Sequence, residues 1–195
     1  MKKFVLGISG FIGSGKTTVS RLFEELGAYF IDADVVVDDL YSPGGAGIKK
    51  IQNFFGNEYI LNNGSLNRKK LAKVVFADPK KLRILNTLIH PLVTAEVQKI
   101  LDKVKSNFIV LEATYFEKKQ LLQFVSALLW VECNAEKAYL NIQNSRKMDP
   151  VLFKNILSLQ VMPSQIDYVV RNSGNLDDLR LQVVNIYNHQ IKPRL

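Results

Sequence analysis

A run of glycine, lysine and threonine near the N-terminus carries the clearest chemistry in this sequence. Residues 10–17 fit the P-loop pattern G-x-x-x-x-G-K-[S/T] without a mismatch. The glycines permit backbone conformations that turn successive N–H groups toward one phosphate chain at a helix N-terminus. Lys16 adds a mobile positive charge for the β- and γ-phosphates, and the Thr17 hydroxyl is a ligand for Mg²⁺. The residues that the pattern assigns to phosphate binding are Gly10, Gly13, Gly15, Lys16 and Thr17.

The flanks of this loop favour a nucleotide site over a glycine-rich turn that binds nothing. The apolar run Phe4–Ser9 predicts a buried strand before the loop, and apolar residues at helical spacing in residues 17–26 predict a helix after it. A turn without a ligand would require the pattern, the strand and the helix to coincide by chance.

Two acids follow the second predicted strand, residues 28–31. Open parallel sheets bind ligands at the carboxyl ends of their strands, and strand alternation would turn Asp32 and Asp34 to one side if the strand extends that far. One acid would then face a phosphate-bound metal and the other a hydroxyl group to be phosphorylated. Alternatively, the acids cap the next helix, predicted over residues 35–40.

Strands and helices alternate along the rest of the chain. Further strands are predicted over residues 108–111, 127–133 and 166–170, and Glu112 takes the position of a Walker-B-like metal ligand. The helices before the third strand form an insertion, in which Pro91 is expected to end one helix and begin another that runs to about Val104. The pattern predicts an α/β fold with a five-stranded parallel, doubly wound sheet.

The composition is that of a globular protein with a preference for anionic partners. Of 195 residues, 47% are hydrophobic and 23% charged, and the net charge is +8. The lysines are scattered and no arginine-rich arm is present, which favours a phosphorylated small molecule over nucleic acid. The first strand begins too early for a signal peptide, no stretch has the length of a membrane span, and the single Cys133 fits a reducing compartment. We therefore expect a cytoplasmic protein with no membrane partner; its oligomeric state is not predicted.

An ordered set of short motifs makes the chain similar to the dephospho-coenzyme A kinase family. The resemblance covers nearly the whole chain and is more specific than the P-loop, which many kinases share. The matching segments are residues 10–17, 31–34, 66–68, Leu71, 75–76, 90–91, 116–117, Gln160, 167–170 and 172–174.

The resemblance implies a P-loop kinase core, about residues 1–34 and 106–195, with a helical substrate region, about 35–105, and a mobile lid, about 141–150, over ATP. It implies that ATP, with Mg²⁺, phosphorylates the ribose 3′-hydroxyl of dephospho-coenzyme A, the last step of coenzyme A synthesis. Asp34 then orients or deprotonates this hydroxyl, and residues 13–18, including Ser14 and Thr18, hold the ATP phosphates. The residues that it assigns to the substrate side are Asp32, Arg68, His90 and Glu117, with a structural role as the alternative for His90.

The chain departs from the family pattern at several positions. The family usually carries an arginine where this chain has Asp38, and two lid arginines at places that fall, without gaps, on Asn141 and Ser145. Arg146, one residue away, is the expected replacement cation for the transferring phosphate; the alternative is a solvated charge at a helix C-terminus. The segment 113–117 is a weakened form of the family's Pro-Leu-Leu-Phe-Glu motif.

These departures leave three functions open. The first is an active but divergent dephospho-coenzyme A kinase, and the second is a P-loop kinase with another small acceptor. The third is a nucleotide-binding protein that has lost catalysis, which would bind ATP without turnover.

Overall fold

A computed structural model describes residues 3–114, 116 and 120–195, which form two compact units. The first comprises Met1–Asp32 and Val104–Leu195, and the second comprises Ala33–Lys103. The strands are Phe4–Ser9 (β1), Tyr29–Asp32 (β2), Phe108–Glu112 (β3), Ala127–Glu132 (β4) and Tyr168–Arg171 (β5). The α-helices are Lys16–Glu25 (α1), Ala33–Leu40 (α2), Ala46–Phe55 (α3), Arg68–Val75 (α4), Pro79–Lys103 (α5), Ala135–Arg146 (α6), Pro150–Leu159 (α7) and Leu176–Ile186 (α8).

The first unit is built on a five-stranded parallel sheet in the order β2-β3-β1-β4-β5. Every residue of β1 and β3 is buried, as expected for central strands of a parallel sheet that is covered on both faces. The predicted α/β class and five parallel strands are confirmed. Strand boundaries differ little from the prediction; β5, for example, begins at Tyr168 and not at Ile166.

Two hydrophobic clusters hold this unit together. In the larger cluster, α1 and α8 pack side chains such as Phe23 and Val183 against Leu6, Val110 and Leu129 of the sheet. The smaller cluster joins α6 to α7, and its buried members are Ala138, Ile142 and Phe153. Ile12 of the P-loop packs against this second cluster, so apolar contacts connect the loop to α6 and α7.

The second unit is helical and contains one clear departure from the sequence prediction. Helix α5 runs without a break from Pro79 to Lys103, with Pro91 inside it, so the predicted helix boundary at Pro91 is wrong. Buried apolar residues recur every fourth position along one face of α5, at Ile89, Val93, Val97 and Leu101. Burying each side chain contributes about 1.5–3 kcal/mol, which offsets the cost of about 3 kcal/mol of an interior proline.

The junction after β2 also differs from the prediction. Strand β2 ends at Asp32 and α2 begins at Ala33, so Asp34 lies in the first turn of a helix. Strand alternation therefore does not relate the directions of the two acids. A negative charge in a first helical turn is favoured by the helix dipole, and this explains why the helix starts before Asp34.

None of the helices in the described part of the chain combines the length and the apolar character that a membrane-spanning helix needs.

Candidate active site

The P-loop connects the carboxyl end of β1 to the N-terminus of α1. Gly13 and Gly15 have φ angles of +77° and +94°, in the left-handed region that side chains disfavour. A Cβ atom on Gly13 would lie 2.1 Å from the carbonyl oxygen of Ala138, and one on Gly15 would lie 2.3 Å from Nδ2 of Asn172. Glycine is therefore required at both positions by backbone geometry and by close neighbours.

Lys16 and Thr17 begin helix α1, at the end of the loop. The Lys16 ammonium donates hydrogen bonds to the carbonyl oxygens of Gly10 at 3.0 Å and of Phe11 at 3.2 Å. The Thr17 hydroxyl donates to Oε1 of Glu112 at 2.8 Å. The hydroxyl and the ammonium that the pattern assigned to a metal ion and to phosphates thus lie on one loop, and Thr18 follows them on α1.

Glu112 is a buried carboxylate at the carboxyl end of β3. Its second oxygen accepts a hydrogen bond from the Ser20 hydroxyl at 2.8 Å, and the sheet register pairs Glu112 with Asp32. Burial raises the pKa of Glu112, and the nearby charge of Asp32 raises it further, while the bonds from Ser20 and Thr17 and the charge of Lys16 lower it. Ser20 was not predicted from the sequence, although it lies one helical turn after Thr17.

The oxygen atoms of this cluster fit a magnesium ion. Magnesium in nucleotide sites takes one or two carboxylates and completes its octahedral shell with phosphate and water oxygens. Thr17, Glu112 and Asp32 supply a hydroxyl and two carboxylates, which is enough for such an ion. A site made of protein ligands alone is not present in the described part of the chain, where no three or more His, Cys, Asp or Glu side chains are grouped to hold a metal. In the P-loop, the hydroxyl of Ser14 is buried without a hydrogen-bond partner among the described residues.

Replacing Glu112 by glutamine is expected to flatten the dependence of protein stability on pH. Because the pKa of Glu112 is raised above its ordinary value of 4.5, the folded state binds this proton more tightly than the unfolded state does. The bound proton on Glu112 therefore stabilises the folded state. This contribution is complete below pH 4.5 and is lost as the pH rises through the folded-state pKa of Glu112. Thermal unfolding followed from pH 4 upward should show this fall in the wild type and a smaller one in Glu112→Gln.

The matched control for this measurement is Glu132→Gln, which removes an exposed carboxylate at the end of β4. Parallel melting profiles for the wild type and Glu112→Gln would contradict the assignment of a raised pKa to Glu112.

The other predicted site residues lie in the second unit. Asp34 is the second residue of α2, Arg68 is the first residue of α4, and His90 lies inside α5, where its carbonyl accepts a bond from the Thr94 hydroxyl at 2.9 Å. The sequence predictions for these residues concern contacts with a substrate, and they stay predictions.

Asp38, which stands where the family usually has arginine, forms an ion pair with Arg68. The Arg68 guanidinium also lies over the ring of Tyr41, 5.3 Å from its centroid. Burial raises the pKa of Tyr41 to about 12, with a smaller upward contribution from Asp38 and an opposing one from Arg68. The acid at position 38 therefore holds an arginine of the same unit.

Two predicted site groups lie outside the described parts of the chain. Glu117 is one of them, and the side chain of Arg146 is the other; the backbone of Arg146 ends helix α6. Their assigned roles stay predictions.

Three side-chain amides bind the P-loop backbone, and none was predicted to do so. Gln160 and Asn172 belong to the motifs of the family resemblance, and Asn141 stands at a place of the absent lid arginines, so each had a signal in the sequence but no assigned contact. The bonds run from Ile12 N–H to Oε1 of Gln160 (2.8 Å), from Nδ2 of Asn141 to the Gly13 carbonyl (2.8 Å), and from Nδ2 of Asn172 to the Ser14 carbonyl (2.9 Å).

Comparisons with known proteins show which family this chain resembles. A family model described as dephospho-CoA kinase matches residues 4–178. A dephospho-CoA kinase of Leptospira interrogans is 33% identical over 192 residues, which cover 96% of this chain and 93% of the relative. One of Shewanella oneidensis is 31% identical over 196 residues, which cover 98% and 96%.

Solved structures show the same fold. A crystal structure from Thermus thermophilus has a TM-score of 0.80 at 23% identity and covers 98% of this chain and 99% of its own. A dephospho-CoA kinase from Campylobacter jejuni has a TM-score of 0.67 at 21% identity, with 98% of each chain covered. These identities are too low to show more than the fold. The family membership is shown by the family model, which matches residues 4–178, and by the identity of 31–33% to curated members. The chain belongs to the dephospho-CoA kinase family, a family of phosphotransferases.

Proposed function

We propose that this chain is an active kinase that transfers the γ-phosphate of ATP to the ribose 3′-hydroxyl of dephospho-coenzyme A, with coenzyme A and ADP as products. The observation that carries this proposal is the intact P-loop joined to a hydroxyl and carboxylate cluster, Thr17, Ser20 and Glu112, at the carboxyl edge of the sheet. The family match over residues 4–178 supports the choice of acceptor.

The proposed reaction is a single displacement at the γ-phosphorus. The hydroxyl oxygen of the acceptor bonds to this phosphorus, the bond from phosphorus to the bridging oxygen breaks, and ADP leaves with that electron pair. The hydroxyl proton passes to the carboxylate of Asp34, which we propose as the general base. Asp34 lies in the first turn of α2, two residues after the carboxyl end of β2, and open parallel sheets bind ligands at the carboxyl ends of their strands, which supports the assignment.

Charge on the transferring group must be balanced by cations and N–H donors. We assign this role to Lys16, to the N–H groups of residues 13–18, and to Arg146, the last residue of α6. Mg²⁺, when bound through Thr17 and Glu112, would supply Lewis-acid charge neutralisation of the phosphates. Catalysis then rests on positioning and electrostatics.

We assign acceptor binding to Asp32, Arg68, His90 and Glu117. The division of the chain near residues 33 and 103 supports a core of about 1–34 and 106–195 and a helical substrate region of about 35–105. The proposed lid covers about residues 141–150. The cytoplasm is the proposed location, supported by the single cysteine of the chain.

A second candidate is a kinase for a different small acceptor. The observation that favours it is Asp38, because an acid paired with Arg68 replaces the positive charge that the family usually carries there. Turnover with another acceptor and none with dephospho-coenzyme A would support this candidate.

The direct test measures ADP release from MgATP by the purified protein with and without dephospho-coenzyme A. We expect release that depends on the acceptor, and a loss of about 10²-fold or more in kcat for Arg146→Ala if this arginine neutralises the transferring group. Lys147→Ala is the control, since it removes the neighbouring charge at the same helix end. ATP binding without acceptor-dependent release would contradict the proposed function.

A further inference from the structure

Asn172 determines the direction of the peptide group between Ser14 and Gly15. Lys137 donates a hydrogen bond to Oδ1 of Asn172 at 3.1 Å, so the NH₂ group of the same amide faces the carbonyl of Ser14. In a planar trans peptide the C=O and N–H point in opposite directions. The N–H of Gly15 is therefore directed away from Asn172, as the donor of a phosphate site at a helix N-terminus must be.

Gln160 acts on the start of the loop in the same way. Its side-chain oxygen accepts the N–H of Ile12, so this donor is satisfied by protein. The carbonyl of Phe11, in the same peptide group, points the other way and accepts a bond from the N–H of Ser14 at 3.1 Å. The bond from Gln160 thus supports the internal turn of the loop.

Asn141 binds the middle of the loop, at Gly13. Its Nδ2 group donates to the carbonyl of Gly13, whose Cα lies directly against the backbone of Ala138 in α6. Gly13 is thus held by a hydrogen bond and by close packing from the same helix. A carbonyl at this position would otherwise need water or another donor, since polar backbone groups at partly buried sites are rarely left unpaired.

Asn141 and Gln160 lie on either side of the stretch 142–159, which contains the connection between α6 and α7. Both ends of this stretch are therefore bonded to adjacent residues of the P-loop, Gly13 and Ile12. A movement of Ile12 and Gly13 on nucleotide binding would therefore be transmitted through these bonds to both ends of the stretch 142–159.

We propose that Asn141, Gln160 and Asn172 are positioning residues that hold the P-loop backbone in its phosphate-binding form, and that Asn141 and Gln160 anchor the stretch 142–159 to it. The inference rests on the proposed nucleotide site but not on the identity of the acceptor. At position 141, where the family usually has a lid arginine, this chain has a neutral amide that donates a hydrogen bond to the P-loop backbone.

Binding of MgADP, measured by calorimetry, tests this proposal without any turnover. Loss of one such bond is expected to raise the Kd about threefold to tenfold in Asn141→Ala and in Gln160→Ala. Asn185→Ala, which removes an exposed amide on α8 of the same unit and outside the proposed lid, is the matched control and should leave the Kd unchanged. The KM for dephospho-coenzyme A should stay within twofold in all three variants, whereas a general loss of structure would raise it.

Two charge-matched replacements separate a positioning role from a packing role. Asn141→Asp loses its donor and repels the Gly13 carbonyl, whereas Gln160→Glu keeps an oxygen that accepts the N–H of Ile12. Both add one negative charge. We expect Asn141→Asp to bind MgADP less tightly than Asn141→Ala, and Gln160→Glu to bind it more tightly than Gln160→Ala.

Backbone hydrogen exchange without nucleotide provides the second measurement. Peptides that contain Ile12 should exchange faster in Gln160→Ala than in the wild type, and equally fast in Gln160→Glu. Equal Kd values for the wild type, Asn141→Ala and Gln160→Ala, or an equal loss in Asn185→Ala, would overturn the proposal. If MgADP binding depends on Asn141 while dephospho-coenzyme A is not phosphorylated, the proposed function fails and this inference stands.

Discussion

Replacing Lys16 by alanine is expected to lower kcat for ADP formation by about 10²- to 10³-fold. The Lys16 ammonium is held against the P-loop by the carbonyl oxygens of Gly10 and Phe11, at 3.0 and 3.2 Å. A phosphate oxygen carries more negative charge than a carbonyl, so the ammonium is expected to move to the β- and γ-phosphates when the nucleotide binds. Steady-state kinetics at saturating MgATP measure this loss.

The comparison needs a variant that removes a lysine of the same unit outside the loop. Lys105→Ala meets this condition, because Lys105 is an exposed residue before β3. Lys16→Ala with a kcat within threefold of the wild type would exclude Lys16 from charge neutralisation. A melting temperature equal to that of Lys105→Ala would show that any loss of rate is not a loss of fold.

Replacing Asp34 by asparagine is expected to lower kcat by about 10²-fold or more and to leave the Kd for MgADP unchanged. The amide has nearly the shape of the carboxylate but cannot accept the hydroxyl proton. In the first turn of α2 the amide gives up the charge interaction with the helix dipole, which contributes about 0.3–1 kcal/mol, and keeps the shape of the side chain, so the protein should remain folded. Single-turnover kinetics, combined with calorimetry for MgADP, separate the chemical step from nucleotide binding.

Asp39→Asn is the control for this variant, because Asp39 is an exposed acid near the end of the same helix. An unchanged rate in Asp34→Asn would remove this residue from the mechanism. A rate that falls together with MgADP affinity would instead assign Asp34 to the nucleotide or its metal ion.

The sheet could be predicted because its signals are local. Buried parallel strands are continuous apolar runs, and β1 was predicted with the bounds that the structure has, Phe4–Ser9. The errors arose where distant packing outweighs a local rule. Pro91 is a helix-breaking signal, yet apolar residues on both sides of it hold α5 in one piece.

In the candidate site, too, the residues with a local sequence signal were predicted and the contacts between distant residues were missed. The glycines, Lys16 and Thr17 were found from spacing, because a phosphate loop needs those residue types in that order. Ser20 was missed, because its bond to Glu112 joins residues that lie 92 positions apart in the chain. The pairing of Asp38 with Arg68 was missed for the same reason, since an ion pair between helices leaves no local pattern.

By itself, then, the sequence determined the α/β class and the family resemblance and predicted the phosphate-binding role of the loop, because these depend on residue types at short, regular spacing. Only the tertiary structure decided that Asp34 lies in the first turn of a helix and which side chains support the loop. The physical reason is that a side-chain amide bonds equally well to any correctly placed backbone group. Which group that is depends on how β-strands and helices distant in the chain pack against each other.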